Sequence, residues 1–243
     1  MDIGKSFSFP FEDKQWISKL GLGAVIAMVP ILNFAWSGYM VEIIRNVMNG
    51  SQEPLPNWDN IDKKFMDGLL LALAGMVYAL PMLIVICLPM SIMVIPAIMS
   101  GNGDLQEISN AIAGAGSVLF LCLLCVFLLY GLVLSVIYPA ILVVFAREGT
   151  FAACFKFRDV FDLISKNMSP FFTAWGVSVG AGIVVGFVSS IAQVVLNFIP
   201  CLGQIVAFVL AIGIVVYTSA IYTHLFGQFG RMAFGQDQIV ASS

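Results

Sequence analysis

The chain holds one histidine, His224, and it stands inside the last apolar stretch, with no charged residue nearer along the chain than Arg231. A histidine that binds metal or moves protons needs a second ligand or an acid at matching spacing, and none accompanies it. His224 is therefore read as an interfacial histidine satisfied by local hydrogen bonds. Cys122 and Cys125 form a C-x-x-C, but it lies within the apolar run Leu121 to Leu129, which no redox partner or hydrated metal enters. With Cys87, Cys154 and Cys201 they read as small packing residues.

Asn33 and Asn197 sit beside two helix-breaking prolines, in Pro30-Ile31-Leu32-Asn33-Phe34 and Leu196-Asn197-Phe198-Ile199-Pro200. An Asn there either satisfies backbone groups freed by the break or lines a polar path, as in transporters with interrupted helices. Glu42 and Arg45, three apart, are expected to pair on one helix face, a contact contributing about 0.2–1 kcal/mol when exposed. Gly176, Gly180, Gly182 and Gly186 give two G-x-x-x-G spacings, which read as a close-packing face toward a neighbouring helix or another protomer. No catalytic constellation, metal site or cofactor emerges.

The elements that must position these residues are set by charge-free runs. No Asp, Glu, Lys or Arg occurs between Asp67 and Asp104, between Glu107 and Arg147, or between Lys166 and Arg231. A helix of roughly 20 apolar residues crosses a bilayer, so the runs supply one, one and two crossings. Hydrophobic residues make up 60% of the chain and charged residues 10%, the inverse of a water-soluble domain. The runs are continuous rather than alternating, which excludes a β-barrel. The expected fold is all-α, a polytopic transmembrane helix bundle in one membrane domain, 1–243. Its four long membrane helices are 68–99, 108–146, 169–197 and 204–227. An N-terminal broken helix or hairpin occupies 11–48, and amphipathic helices lie on the cytoplasmic side, foremost 150–168. Pro81, Pro89 and Pro96 are expected to kink or shorten the first long helix. The first residues lack the pattern of a removable signal peptide.

Lys and Arg cluster before residue 20, in 45–64, in 147–166 and at Arg231, while the turns near 100–110 and 201 carry none. The positive-inside rule places the clusters and both termini in the cytoplasm. The stretch Leu20 to Val41 is flanked by basic residues on both sides and divided by Pro30. Either it forms a re-entrant or interfacial hairpin with its tip near Pro30 to Asn33, or it is one kinked crossing.

Three segments have helical amphipathicity: Cys154 to Lys166, with Phe157, Val160, Phe161 and Ile164 opposite Arg158, Asp159, Asp162 and Lys166; the segment after Pro56, with Trp58, Ile61, Phe65 and Leu69 on one side; and Glu12 to Lys19, with Trp16 and Ile17. They either lie at the membrane surface or cover the bundle's inner end. Ile17-Ser18-Lys19 is echoed by Ile164-Ser165-Lys166, a faint trace of duplication.

A set of spaced residues also resembles a prokaryotic family of multi-pass membrane proteins that forms a domain of unknown function. The set is Phe11-Glu12-Asp13 with Trp16, Pro30-Ile31-Leu32-Asn33, Gly38-Tyr39 with Glu42 and Arg45, Leu55-Pro56 with Trp58-Asp59, Phe65 with Gly68-Leu69, Ile199-Pro200-Cys201-Leu202-Gly203, and His224-Leu225 with Gly227-Gln228. The resemblance covers nearly the whole chain and implies an integral membrane protein, with no substrate, cofactor or catalytic residue attached. The first functional expectation is a non-enzymatic component that organises membrane lipids or binds a membrane-protein partner or another copy of itself. The alternative is a transporter or channel for a small neutral or apolar solute, and a membrane enzyme ranks third. A net charge of -3 without a basic stripe gives nucleic acid nothing to bind.

Overall fold

The computed structural model describes the backbone of residues 1–99, 106–199 and 202–241, and their side chains except at 88, 89, 92–99, 106–113, 115, 116 and 236–241. The described residues are helical, with no strand among them. The helices are α1 (Ile3–Glu12), α2 (Trp16–Met28), α3 (Asn33–Met48), α4 (Ile61–Met99), α5 (Gln106–Glu148), α6 (Phe157–Lys166), α7 (Met168–Asn197) and α8 (Leu202–Ala241). Four described stretches are long and apolar enough to cross a membrane: Ile61–Cys87, Ser117–Glu148, Met168–Asn197 and Leu202–Gly235. The chain divides into two units, Met1–Ala72 with Pro139–Ser243, and Leu73–Tyr138.

In the larger unit α3 runs against α8. Ala35, Tyr39, Ile43 and Ile44 of α3 and Ala220, Leu225, Phe226 and Phe229 of α8 lie at or near zero exposure. Gly227 permits the approach, since a Cβ there would lie 2.6 Å from Val47 Cβ. On the other side of α8, Phe171 of α7 meets Phe229 edge-on with ring centroids 5.3 Å apart. Near the end of α5, Ala140 to Ala146 are buried throughout.

The Pro30 break becomes a reversal. Helix α2 ends when the Val29 amide turns back to Ile26 O, and the Asn33 amide bonds Val29 O to start α3. A continuous helix would hold Gly23 and Trp36 about 20 Å apart at about 1.5 Å per residue. Instead the Trp36 ring occupies the space a Gly23 Cβ would need. Helix α3 stops at Gly50, whose φ of 74° closes a C-terminal motif in which the Gly50 and Ser51 amides bond Val47 O and Asn46 O.

Helices α3 and α4 cross at a reciprocal glycine pair. A Cβ on Gly38 would overlap the Lys64 carbonyl oxygen, and one on Gly68 would overlap the Phe34 carbonyl oxygen. The smaller unit is built from the remainder of α4 and α5, where the Tyr130 hydroxyl donates to Tyr78 O at 2.9 Å.

Several expectations change. The amphipathic segment Glu12 to Lys19 is interrupted, because α1 ends at Glu12 and the chain is extended at Asp13. Helix α4 begins at Ile61, so Trp58 belongs to the preceding loop rather than to a helix face. Helix α4 also continues through Pro81, Pro89 and Pro96 rather than ending early, and α8 runs well past the expected end at 227. The turns without Lys or Arg, at 100–105 and 200–201, lie outside the described residues.

Candidate functional site

Polar chemistry in the larger unit gathers where α1, the α2–α3 hairpin, the start of α4 and the end of α8 meet. Helix α1 forms because Asp2 caps it, its Oδ1 accepting the Lys5 amide at 2.9 Å. That helix carries Ser6 to His224, with Ser6 Oγ and His224 Nδ1 2.9 Å apart. Gln228, one turn further along α8, places its Nε2 3.1 Å from His224 Nδ1 and 3.1 Å from Ser6 Oγ. The same amide brackets Asp2, donating to its carbonyl at 2.9 Å and accepting its amide at 2.7 Å. Phe9 stacks on the imidazole at 4.2 Å.

A serine oxygen 2.9 Å from a histidine nitrogen has the spacing of a nucleophile and its base. Ser6 has 0% exposure, however, so nothing outside the protein reaches Oγ in this conformation. Phe9 covers one ring face, and the amide of Gln228, not a carboxylate, completes the set. The arrangement acts as a polar clamp between α1 and α8.

Beside the clamp lie three ion-paired sets. Lys19 Nζ bonds Asp13 Oδ2 at 2.6 Å and Leu55 O at 3.0 Å, with both charged side chains nearly buried. Burial alone would raise the Asp13 carboxyl, but the Lys19 hydrogen bond, the Gln15 amide and the Lys19 charge outweigh it and hold it below the ordinary carboxylate value. Lys64, only 2% exposed, reaches Glu42 Oε2 at 2.8 Å and Asp59 O at 2.6 Å. Arg45 pairs with Asp67 and also donates from Nε to Ala146 O at 2.8 Å. The expected Glu42–Arg45 pair is thereby corrected. Each residue crosses to α4 instead, to Lys64 and Asp67, which are also three apart and provide buried partners that an exposed pairing within α3 lacks.

Trp58 inserts from the loop between α3 and α4. Its ring stacks on Tyr39 at 4.6 Å, Tyr39 stacks on Trp36 at 5.3 Å, and Trp58 Nε1 donates to Lys19 O at 2.7 Å. The Tyr39 hydroxyl is buried without a hydrogen-bond partner. The Trp58 loop thus links the hairpin's charged end to its aromatic interior, a connection with no local sequence signal.

Asn33 and Asn197 are both exposed, and the structure does not bring them together with the ion pairs. Asn33 borders a cavity of about 440 Å³ whose other walls are apolar, among them Met28, Trp36, Phe208 and Ile212. A Cβ at Gly176, Gly180, Gly182 or Gly186 would meet nothing within 4 Å, so these glycines do not mediate close helix packing within the protomer. Among the described residues no group of three or more His, Cys, Asp or Glu is placed to hold a metal. Cys87, Cys122 and Cys125 are free and exposed, while Cys154 is buried, which pushes its thiol up to about 11.

Residues 22–194 match the model of a family described as a protein of unknown function, DUF4013. The chain belongs to this family. The DUF4013 segment contains the α3–α4 glycine crossing and both the Glu42–Lys64 and Arg45–Asp67 pairs. The Asp13–Lys19 pair and the clamp between α1 and α8 are formed by residues outside it. No curated protein and no solved structure matches the chain.

Proposed function

We propose that this multi-pass membrane protein is a non-enzymatic component that orders lipids, and through them partner proteins, at the cytoplasmic face of a prokaryotic plasma membrane, with both termini cytoplasmic. The observation that carries this reading is helix α6. Val160, Leu163 and Ile164 are buried against the protein, while Phe161 (54% exposed) and Phe157 remain outward. Arg158, Asp159, Asp162 and Lys166 occupy the remaining face. A helix with a protein-facing edge, an exposed aromatic edge and a charged edge fits the line where protein, lipid and water meet.

The test is depth-dependent quenching of the full-length protein in nanodiscs, with a fluorophore placed singly at Phe157→Cys, Phe161→Cys, Arg158→Cys or Asp162→Cys. Labels at 157 and 161 are expected to be quenched by nitroxide-bearing lipid, and those at 158 and 162 by aqueous iodide. Aqueous quenching at all four positions would defeat the lipid-ordering reading.

A second reading, transport of a small apolar solute, is supported by the cavity at Asn33. Its apolar lining suits a hydrocarbon better than a polar path for water or ions. Solute uptake by proteoliposomes that is lost in Ala211→Trp, which fills this cavity, would favour transport.

A further inference from the structure

Two basic side chains of the larger unit converge on one cavity without a carboxylate partner among the described residues. Lys5 of α1 and Arg231 of α8 line a recess of about 250 Å³ with Asp2, Gly50, Ser51 and His224. Neither cation enters any of the ion pairs among the described residues. Lys19, Arg45 and Lys64 each face a carboxylate, and Arg147 rests 4.2 Å above the Phe234 ring. The recess has one acid, Asp2, whose Oδ1 is engaged in capping α1.

Gly50 shapes the wall. Its left-handed backbone ends α3 and leaves the guanidinium room to lie against it, since a Cβ there would stand 3.1 Å from Arg231 Cζ. The Arg231 fork and the Lys5 ammonium supply the donors that a tetrahedral phosphate accepts best. Depth points the same way. Arg231 is the first charged residue after the run that begins beyond Lys166, as Arg147 is after the run of α5, so both stand where the apolar layer gives way to lipid headgroups.

We propose that the recess formed by α1, the Gly50 turn and α8 binds a phosphate group, and that its source is the headgroup of an anionic phospholipid. This inference deepens the lipid-ordering reading and rests on it. A cationic side chain near an anionic membrane surface strengthens binding about fivefold, so removing both is expected to weaken it roughly thirtyfold.

The experiment is native mass spectrometry of the full-length protein in detergent, titrated separately with phosphatidylglycerol, phosphatidylcholine and inorganic phosphate. Wild type is expected to retain one phosphatidylglycerol in preference to phosphatidylcholine. The Lys5→Gln/Arg231→Gln double variant is expected to lose that preference, as is Ser51→Asp, which adds a negative charge while leaving both cations in place. Arg158→Gln on α6 is the control and should retain it. All three side chains altered in the pocket variants are exposed, and unchanged melting temperatures in lipid-free detergent verify that the fold survives.

Displacement of the lipid by inorganic phosphate at comparable concentration would reassign the site to a soluble phosphate. Equal phosphatidylglycerol retention by wild type and both pocket variants would overturn the proposal. The two levels fail separately: lipid retained without headgroup preference defeats the recess alone, whereas no retained lipid of either kind defeats the lipid-ordering reading as well.

Discussion

Two sets of glycines in this chain behave in opposite ways. Gly176, Gly180, Gly182 and Gly186 have the spacing that brings membrane helices together, yet an added Cβ at any of them would meet open space. Gly38 and Gly68 have no mutual spacing to recognise, lying on different helices, and an added Cβ on either would overlap the other helix's backbone. Spacing along one helix reports only which residues share a face. Whether that face approaches another backbone depends on the second helix, and here the approach is flanked by the ion pairs at the start of α4.

The sharpest challenge to this contrast is Gly38→Ala. The new methyl must displace the Lys64 carbonyl, so a loss of about 3 kcal/mol or failure to fold is expected, measured by thermal unfolding in detergent or by recovery of monodisperse protein. Tolerance of alanine would mean that the helices do not cross there. Next in size is Lys64→Met. It leaves Glu42 without its cation, but Glu42 is 35% exposed and water compensates in part, so about 2 kcal/mol is expected. A loss equal to that of an exposed lysine elsewhere, such as Lys63→Met, would remove the pair from the account of the crossing.

Asp13 gives a smaller effect with a defined pH dependence. Its carboxyl titrates lower in the folded protein than the ordinary 3.8, so its contribution is complete above that value and is lost as pH falls below it toward the lowered one. The stability advantage of wild type over Asp13→Asn should therefore be constant near neutrality, at about 1 kcal/mol, and shrink below pH 4. An advantage that grows in acid would contradict the Lys19 contact. The smallest effect belongs to Gly180→Leu, expected to change the melting temperature of the monomer by an amount equivalent to less than about 0.5 kcal/mol. A large loss, or a change in oligomer size, would place the partner of that glycine face in another copy of the chain.

The fold was legible wherever composition acts locally. Four long apolar helices follow from charge-free runs because a bilayer admits few alternatives, and Pro30 marked a break without deciding between a kink and the observed reversal. Helix α1 is not legible because Phe7-Ser8-Phe9-Pro10-Phe11 places an aromatic at every second position and contains a proline, obscuring the helical period. The site was less legible still. Glu42, Arg45 and His224 stand out in the sequence, but their partners Lys64, Asp67 and Ser6 lie on other helices, and spacing within one segment cannot identify those partners. Periodicity puts Trp58 on a helix face, whereas its indole reaches the aromatic stack and the Lys19 carbonyl from a loop.

The clamp between α1 and α8 has a consequence for the order of manufacture. Ser6 and Asp2 leave the ribosome more than two hundred residues before His224 and Gln228. Until α8 is inserted, α1 has no docking partner for its polar groups and must wait at the membrane surface with Phe9 uncovered. Completion of α8 is then what seats α1. A nascent chain stalled before His224 would present an undocked α1, visible to a protease that the finished protein resists.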